Sequence, residues 1–367
     1  MPHKLLFTGD VVLASKPEFS PALRELFEIQ QLRCCNFEAP LQGLGAALEK
    51  TGPLVNQSAQ APTILKELGF DLFALANNHI MDYGPEALMS TRQALGAKNT
   101  VGAGTAEDAY GMRIREIEGV KYGFLAYAEN GYGALSDDKA VGYAWVNSKR
   151  VDQDIKTYKK QVDLLIVQVH AGVEMVDVPI PEWRERYRAL VDQGADVVLA
   201  HHPHVLQGME FHQGKPIFYS LGNFYFDGFS QRKDWMVGGA LELQVDAGKL
   251  VSFTMHIIEK EGTLVSLMPQ EQAERLFEVL NSKLGDQAAY LRYVDDIAQQ
   301  QWHAHHVNYY QKGVNGLVRY KLKAIAKHFK RLVFNRGVDY NMLWHNMLIE
   351  SNFWIVQRAI RKIYRDR

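Results

Sequence analysis

The sequence predicts an α/β fold. Three observations carry that expectation: short apolar runs continuous enough for strands buried on both faces, helical patterns between them that open on proline, and a longer pair of runs joined by a turn. The runs are Lys4 to Thr8, Leu32 to Phe37, Asp71 to Ala76, Tyr122 to Ala128, Leu164 to Val169, Val197 to Ala200 and Ile217 to Leu221. Helices are expected over Pro21 to Gln31, Pro62 to Leu68, Pro85 to Leu95 and Pro181 to Gln193, because proline has no N–H to lose in a first helical turn and its fixed φ already suits one. Val237 to Val245 and Leu250 to Ile258 flank Asp246-Ala247-Gly248-Lys249, whose turn chemistry predicts a hairpin closing the sheet. From about Pro269 the pattern is helical. Residues 1–265 are therefore expected to form one domain and residues 266–367 a basic, mainly helical extension.

With 47% hydrophobic and 23% charged residues over 367 positions, the chain can bury a sizeable core, which excludes a disordered or fibrous class. No run approaches the roughly 20 apolar residues of a membrane-spanning helix, and the amino terminus leads into a strand pattern rather than a signal peptide. A cytoplasmic location is the expectation. Cys34 and Cys35 are adjacent in a strand pattern that turns them to opposite faces, so they read as reduced core residues. Charge is unevenly spread: residues 311–367 hold 13 Lys or Arg against Asp339, Glu350 and Asp366, a net +10 that leaves −11 for residues 1–310. An acidic body thus carries a basic tail.

The polar residues that could do chemistry sit where strand patterns end. Asp10 follows the first run, Asn36 and Glu38 end the second, Asn77, Asn78 and His79 follow the third, His170 ends the fifth, and His201-His202-Pro203-His204 closes the sixth. In open α/β sheets, ligands bind outside the carboxyl ends of strands, so these groups can converge although they are far apart in the chain. Carboxylate, imidazole and amide oxygen donors without thiolates suit zinc, manganese or iron at an open site rather than a structural zinc knot. Each piece alone has an ordinary reading: Gly9-Asp10 as a turn, His170 as a satisfied core histidine, Asn77-Asn78 as a loop bonded to its own backbone. Five strand ends carrying such groups together point to a shared site.

Gly9-Asp10, Asn36-Phe37-Glu38, Ala76-Asn77-Asn78-His79 with Asp82-Tyr83-Gly84, His170-Ala171-Gly172-Val173-Glu174, Gly194-Ala195-Asp196, His201-His202-Pro203-His204-Val205 and Tyr219-Ser220-Leu221-Gly222-Asn223-Phe224 with Phe226-Asp227 resemble the CapA family of poly-γ-glutamate capsule biosynthesis, over about residues 4–260. The resemblance implies a metallophosphoesterase-like fold, a four-layer α/β/β/α sandwich with a two-metal site at the sheet edges, here followed by a helical C-terminal extension. It implies Asp10 as a ligand of the first metal, Glu38 as the carboxylate bridging both ions, and Asn78 and His170 as ligands of the second. His202 and His204 then resemble the terminal ligand pair, and His79 the histidine that contacts substrate and protonates the leaving group. His201 stays ambiguous, since sliding the match by one residue exchanges it with His202. Asn36, Asn77, Asp82, Asn223 and Asp227 are expected to touch substrate or to orient ligands and their loops, and Glu174 to support a ligand or face the substrate.

Departures from the pattern matter. The histidine that a standard phosphoesterase carries two residues from its first Asp is missing, since Thr8 and Val12 stand there; Ala171 replaces a common Trp and Ala200 a common Gly. Nor is a counterpart of the membrane anchor of capsule-forming members expected at the amino terminus. Other chemistries lack their motifs: Gly102-Ala103-Gly104 has no Lys-Ser/Thr ending to cradle phosphate, and no Gly-x-Ser-x-Gly elbow occurs. The expected function is a metal-dependent, phosphoesterase-like hydrolase, using two divalent ions (Mn, Zn or Fe), in capsule, poly-γ-glutamate or surface-polysaccharide biosynthesis. Its substrate would be a phosphoester or a polyanionic polymer. The alternative is a non-catalytic accessory factor that binds polyanion beside a polymer synthase.

In the tail, Val318, Leu322, Ile325, Phe329 and Leu332 recur at helical spacing from Gly316 to Phe334, opposite Arg319, Lys323, Lys327, Lys330 and Arg331. Trp354, Ile355, Ile360 and Ile363 repeat the pattern more weakly. Such helices fit peripheral contact with anionic lipid or a polyanionic product, or else pack on the acidic body with their charged face in water. No recognition helix or aromatic RNA-binding motif accompanies the charge, so nucleic acid is not the expected partner.

Overall fold

The computed structural model describes residues 2–136, 138–228, 232–313, 322–333 and 340–366. They divide into two compact units, one made of residues 1–48, 54–129 and 133–286, the other of 49–53, 130–132 and 287–367.

The first unit is mixed α/β, as expected from the alternation of patterns, and is built on two sheets. In the nine-stranded sheet, His3–Val12 lies parallel to Leu32–Phe37 on one side and antiparallel to Val237–Asp246 on the other. Leu72–Ala74 and Thr100–Val101 continue the parallel side. The six-stranded sheet has four parallel strands, Val120–Ala128, Leu164–His170, Val197–His201 and Lys215–Phe218, with Arg113–Ile117 and Met209–His212 antiparallel at its edges. The two sheets pack face to face through Leu5, Phe7, Cys34 and Leu72 of one and Tyr122, Phe124, Ile166 and Leu199 of the other. On the outer face of the first sheet, Leu6, Cys35 and Phe73 pack with Leu23, Leu65 and Leu88 of three helices, Pro21–Glu28, Ala61–Glu67 and Gly84–Leu95. Helices Val151–Lys159 and Pro181–Asp192 cover the second sheet, completing the α/β/β/α order. Cys34 therefore faces the inter-sheet core and Cys35 the helix-covered one, both as free thiols.

Most expected elements appear with shifted ends. The run from Asp71 to Ala76 pairs only over Leu72–Ala74, and that from Ile217 to Leu221 leaves its ladder after Phe218, so that Asn223–Phe226 can join His3–Val12 in the other sheet. The hairpin Val237–Asp246 and Lys249–Glu261 does not close its sheet, because Leu264–Leu267 and the short strand Glu18–Phe19 extend it further. Arg113–Ile117 and Met209–His212 carry no apolar run, since both are edge strands whose charged and half-exposed residues interrupt one.

Gly9 positions Asp10. The pairing with Leu32–Phe37 jumps from Thr8 opposite Cys35 to Asp10 opposite Asn36, a bulge that turns the Asp10 side chain toward the strand ends. A Cβ on Gly9 would lie 1.9 Å from the Gly222 carbonyl oxygen, and the Asp10 N–H donates to that same oxygen at 2.9 Å. Gly9→Ala is expected to destabilise the protein by at least about 3 kcal/mol, read as a lowered urea midpoint, because backbone rather than a yielding side chain meets the new methyl.

Away from the strand ends, Glu210 gathers Arg184 Nε at 2.9 Å, Arg188 Nε at 2.6 Å and the Tyr219 hydroxyl at 2.6 Å. Burial alone would raise its pKa, but the hydrogen bonds from Arg188, Arg184 and Tyr219 outweigh burial and hold the carboxyl down at about 2. A lowered carboxylate pKa adds stability that is fully present above the ordinary value of 4.5 and is lost as pH falls toward 2. Glu210→Gln is expected to cost about 2 kcal/mol at neutral pH, after discounting for the partly exposed Arg188. In paired urea melts that difference should shrink steadily below pH 4.5; a pH-independent difference would contradict the ionic account.

The second unit is helical, with Gln287–Gln301, Val307–Gly313, Leu322–Val333, Tyr340–Leu348 and Glu350–Arg365, and a π-turn at Trp302–His306. Tyr290, Val294, Ala298, Ile355 and Ala359 form its buried face, and His306 bonds Asn346 at 2.8 Å. The amphipathic segment expected from Gly316 to Phe334 is helical over Leu322–Val333; its residues 316–321 and 334 lie outside the described residues. No helix among the described residues is long and apolar enough to cross a membrane.

Candidate metal centre

The parallel strands of both sheets end at one place, and their polar residues meet there. Asp10 is completely buried; its Oδ1 accepts from Asn36 Nδ2 at 2.8 Å, and its Oδ2 lies 3.3 Å from His204 Nδ1 and accepts the His202 N–H at 3.3 Å. Asn36 Nδ2 also reaches His170 Nδ1 at 3.0 Å, tying two sheets through one amide. His170 Nε2 lies 2.9 Å from Asn78 Oδ1, 3.1 Å from His202 Nδ1 and 3.4 Å from Glu38 Oε1. His204 Nε2 stands 3.7 Å from the same Glu38 oxygen.

These contacts resolve into overlapping sets of donors whose ligand atoms all lie within 4.8 Å of one another: Glu38 with His170 and His202, Asp10 with Glu38 and His204, and Glu174 with His202 and His204. Glu38 is shared by the first two sets, with imidazoles on both sides. Both of its carboxylate oxygens are buried without a hydrogen-bond donor. Leaving a buried carboxylate unsatisfied is costly, and carboxylate and imidazole donors at this spacing are what a borderline divalent cation needs, so the residues fit a metal site.

The loop His201 to His204 aims its rings through unusual backbone. His202 has φ of +94° and His204 of +59°, with Pro203 between them. Left-handed conformations at two non-glycine residues cost of order 1 kcal/mol or more each and persist where the surroundings enforce them, commonly at functional sites. His201 borders the cluster, its Nε2 3.3 Å from Gln168 Oε1 and its Nδ1 3.5 Å from Asp10 Oδ1, and it joins none of the three donor sets.

The remaining expected residues surround the ligands. Asp82 Oδ2 lies 2.7 Å from His79 Nδ1 and accepts the Val55 N–H at 2.7 Å, which fixes the ring. Asn77 caps its own loop by accepting the Ile80 N–H at 2.9 Å and donates to the Phe37 carbonyl at 2.9 Å, holding the third strand end beside the second. Asn223 Oδ1 lies 3.0 Å from His204 Nδ1. Asp227 touches no histidine in its hydrogen bonds to Ala14 N, Ser15 N and Ser15 Oγ and in its ion pair with Lys260; it clamps the loop leaving the first strand. Glu174 is exposed at the rim.

The family model for the bacterial capsule synthesis protein PGA_cap matches residues 4–228. The chain belongs to this family. The PGA_cap chain is 34% identical over 197 residues to the capsule biosynthesis protein CapA of Bacillus anthracis, covering 51% of this chain and 48% of that protein. It is likewise 34% identical over 177 residues to the PGA biosynthesis protein CapA of Bacillus subtilis, covering 47% of each. The chain spans about half the length of the curated relatives it matches. The CapA resemblance read from the motifs is thus borne out. A 5'-nucleotidase from Candida albicans superposes with a TM-score of 0.43 at 11% identity, over 78% of this chain and 56% of that one.

Two further residues border this cluster. Glu129 is buried, accepts the Gly172 N–H at 3.3 Å and lies 3.5 Å from His202 Nε2; it directly follows Val120–Ala128, so the strand-end rule applied to that strand would have found it. Trp235 packs on His204 with ring centroids 4.6 Å apart, and no local pattern marks it.

The electrostatics of the site set its protonation. Burial, reinforced by the neighbouring Asp10 carboxylate, pushes the Glu38 pKa well up. Burial also acts to raise Asp10, but the imidazoles of His201 and His204, 3.5 and 3.3 Å from its carboxylate oxygens, prevail and hold it well below the usual range. Burial lowers His170, helped by His202, and lowers His202 to about 4. His204 is opposed by burial yet raised by its bond to Asp10. At neutral pH His170 and His202 are therefore neutral and ready to ligate, while the burial that raises the Glu38 pKa makes protons compete with a cation for its carboxyl. Metal binding is expected to release protons and to strengthen as pH rises, read as a binding enthalpy that differs between Tris and PIPES in proportion to their ionisation heats. Identical heats in both buffers would contradict this protonation scheme.

Proposed function

We propose that this chain is a metal-dependent hydrolase of the phosphoesterase type, acting in the production of capsule, poly-γ-glutamate or a surface polysaccharide. The observation that carries the reading is Glu38, a buried carboxylate without hydrogen-bond donors, placed between Asp10 and His204 on one side and His170 and His202 on the other. The names of the two Bacillus relatives supply the biological setting.

In this reading Asp10, Glu38 and His204 hold one divalent ion, and Glu38, Asn78, His170 and His202 a second. Such ions lower the pKa of bound water and stabilise charge developing on a phosphoryl centre. Asn36 keeps Asp10 and His170 in position. Asp82 lies 2.7 Å from His79 Nδ1, which orients the imidazole, and in this reading Nε2 delivers the proton to the leaving group. Mn, Zn and Fe all suit this mixed nitrogen and oxygen donor set.

The test is metal content of protein purified without chelator, followed by turnover of p-nitrophenyl phosphate and bis-p-nitrophenyl phosphate with each metal. Metal-loaded protein that turns over neither substrate, together with a His79→Ala strain that makes polymer normally, would replace the hydrolase by the accessory-factor reading.

A further inference from the structure

The second unit leaves apolar faces of three helices exposed. In Leu322–Val333, Leu322 is 86% exposed, Phe329 65% and Val333 61%, and Ile325 is also exposed. At 100° per residue these four positions fall on one face, and the exposed Lys323 and Lys330 lie about a quarter-turn round on its flank. Tyr340–Leu348 exposes Tyr340, Trp344 and Met347 at spacings of four and three. Glu350–Arg365 exposes Phe353, Ile360 and Tyr364 on one face, while Ile355, Val356 and Ala359 are buried.

We propose that this unit is a peripheral membrane-binding surface that lays these faces on a bilayer rich in anionic lipid. The partner must accept apolar and basic groups side by side. A soluble polyanion would neutralise the lysines but leave Leu322, Phe329 and Trp344 in water. A second copy of the chain would cover them, yet would bring together two segments of net +10 each. An anionic bilayer meets both demands: the headgroups take Lys323 and Lys330, the acyl boundary takes the apolar face, and Trp344, Tyr340 and Tyr364 suit the interface between them. Helices lying in the plane of the membrane need none of the length that a spanning helix requires.

Flotation of the full-length protein with vesicles tests the proposal, comparing pure phosphatidylcholine with a mixture containing one-third phosphatidylglycerol. Binding is expected to the anionic vesicles and to fall sharply in ~0.5 M NaCl. The paired variants Leu322→Ser/Phe329→Ser and Lys323→Ala/Lys330→Ala should each weaken partitioning about tenfold or more. These residues are solvent-exposed, so helical circular dichroism and metal content should stay at wild-type values, separating loss of the surface from loss of the fold. Absence of vesicle binding overturns the proposal. So does a dimer in solution that Leu322→Ser/Phe329→Ser dissociates, or binding to free polyglutamate that equals vesicle binding and survives the serine pair.

Discussion

Glu38→Met is expected to shift stability in opposite directions depending on whether metal is present. In chelator, the wild-type protein carries a buried carboxyl whose oxygens have no donor and whose pKa burial has driven up. A methionine of similar shape removes that unsatisfied group, and such exchanges are neutral to stabilising, by as much as about 3 kcal/mol. With Mn or Zn added, the order reverses. Wild type gains stability in proportion to the logarithm of metal concentration over Kd, roughly 4 kcal/mol at a thousandfold excess, whereas the variant has lost the donor common to both sets and gains little. Thermal melts of both proteins with and without metal read the crossover. A variant that is less stable in both conditions, or that responds to metal like wild type, would remove Glu38 from the centre of the site.

His79→Ala is expected to lower kcat by about a hundredfold to ten-thousandfold while leaving metal content unchanged, which separates proton delivery from ligation. Asp82→Asn keeps the shape of the partner but removes its charge, and should cost about tenfold to a hundredfold in kcat while shifting the acidic or basic limb of the pH profile. Adding external imidazole should restore part of the His79→Ala rate. Because Asp82 also accepts the Val55 N–H, the Asn variant needs a thermal melt alongside, so that a loosened loop is not mistaken for a catalytic effect. Full activity in His79→Ala would reassign proton transfer.

How much of this was legible in the sequence depends on whether the cause is local. Proline at four helix starts, continuous apolar strands and the turn Asp246 to Lys249 are local signals, and the corresponding elements lie within a few residues of expectation. Asn223–Phe226 was not visible as a separate strand, because its partner is His3–Val12, more than 200 positions earlier. In the site, strand ends supplied most donors, since parallel strands put their carboxyl ends on one edge by construction. The roles of neighbouring histidines were not legible: His201, His202 and His204 have the same chemistry, and only the positive φ at 202 and 204 turns those two toward Glu38 and Glu174 while His201 meets Gln168. Glu129 lacked any motif beyond its position, and Trp235 is brought to His204 by the fold alone.

The most direct test of the shared centre is anomalous scattering from crystals grown with Mn2+. Scattering density is expected beside Glu38, among Asp10, His170, His202 and His204, and is expected to be lost in Glu38→Met. Density confined to surface carboxylates, or undiminished in Glu38→Met, would contradict a shared centre.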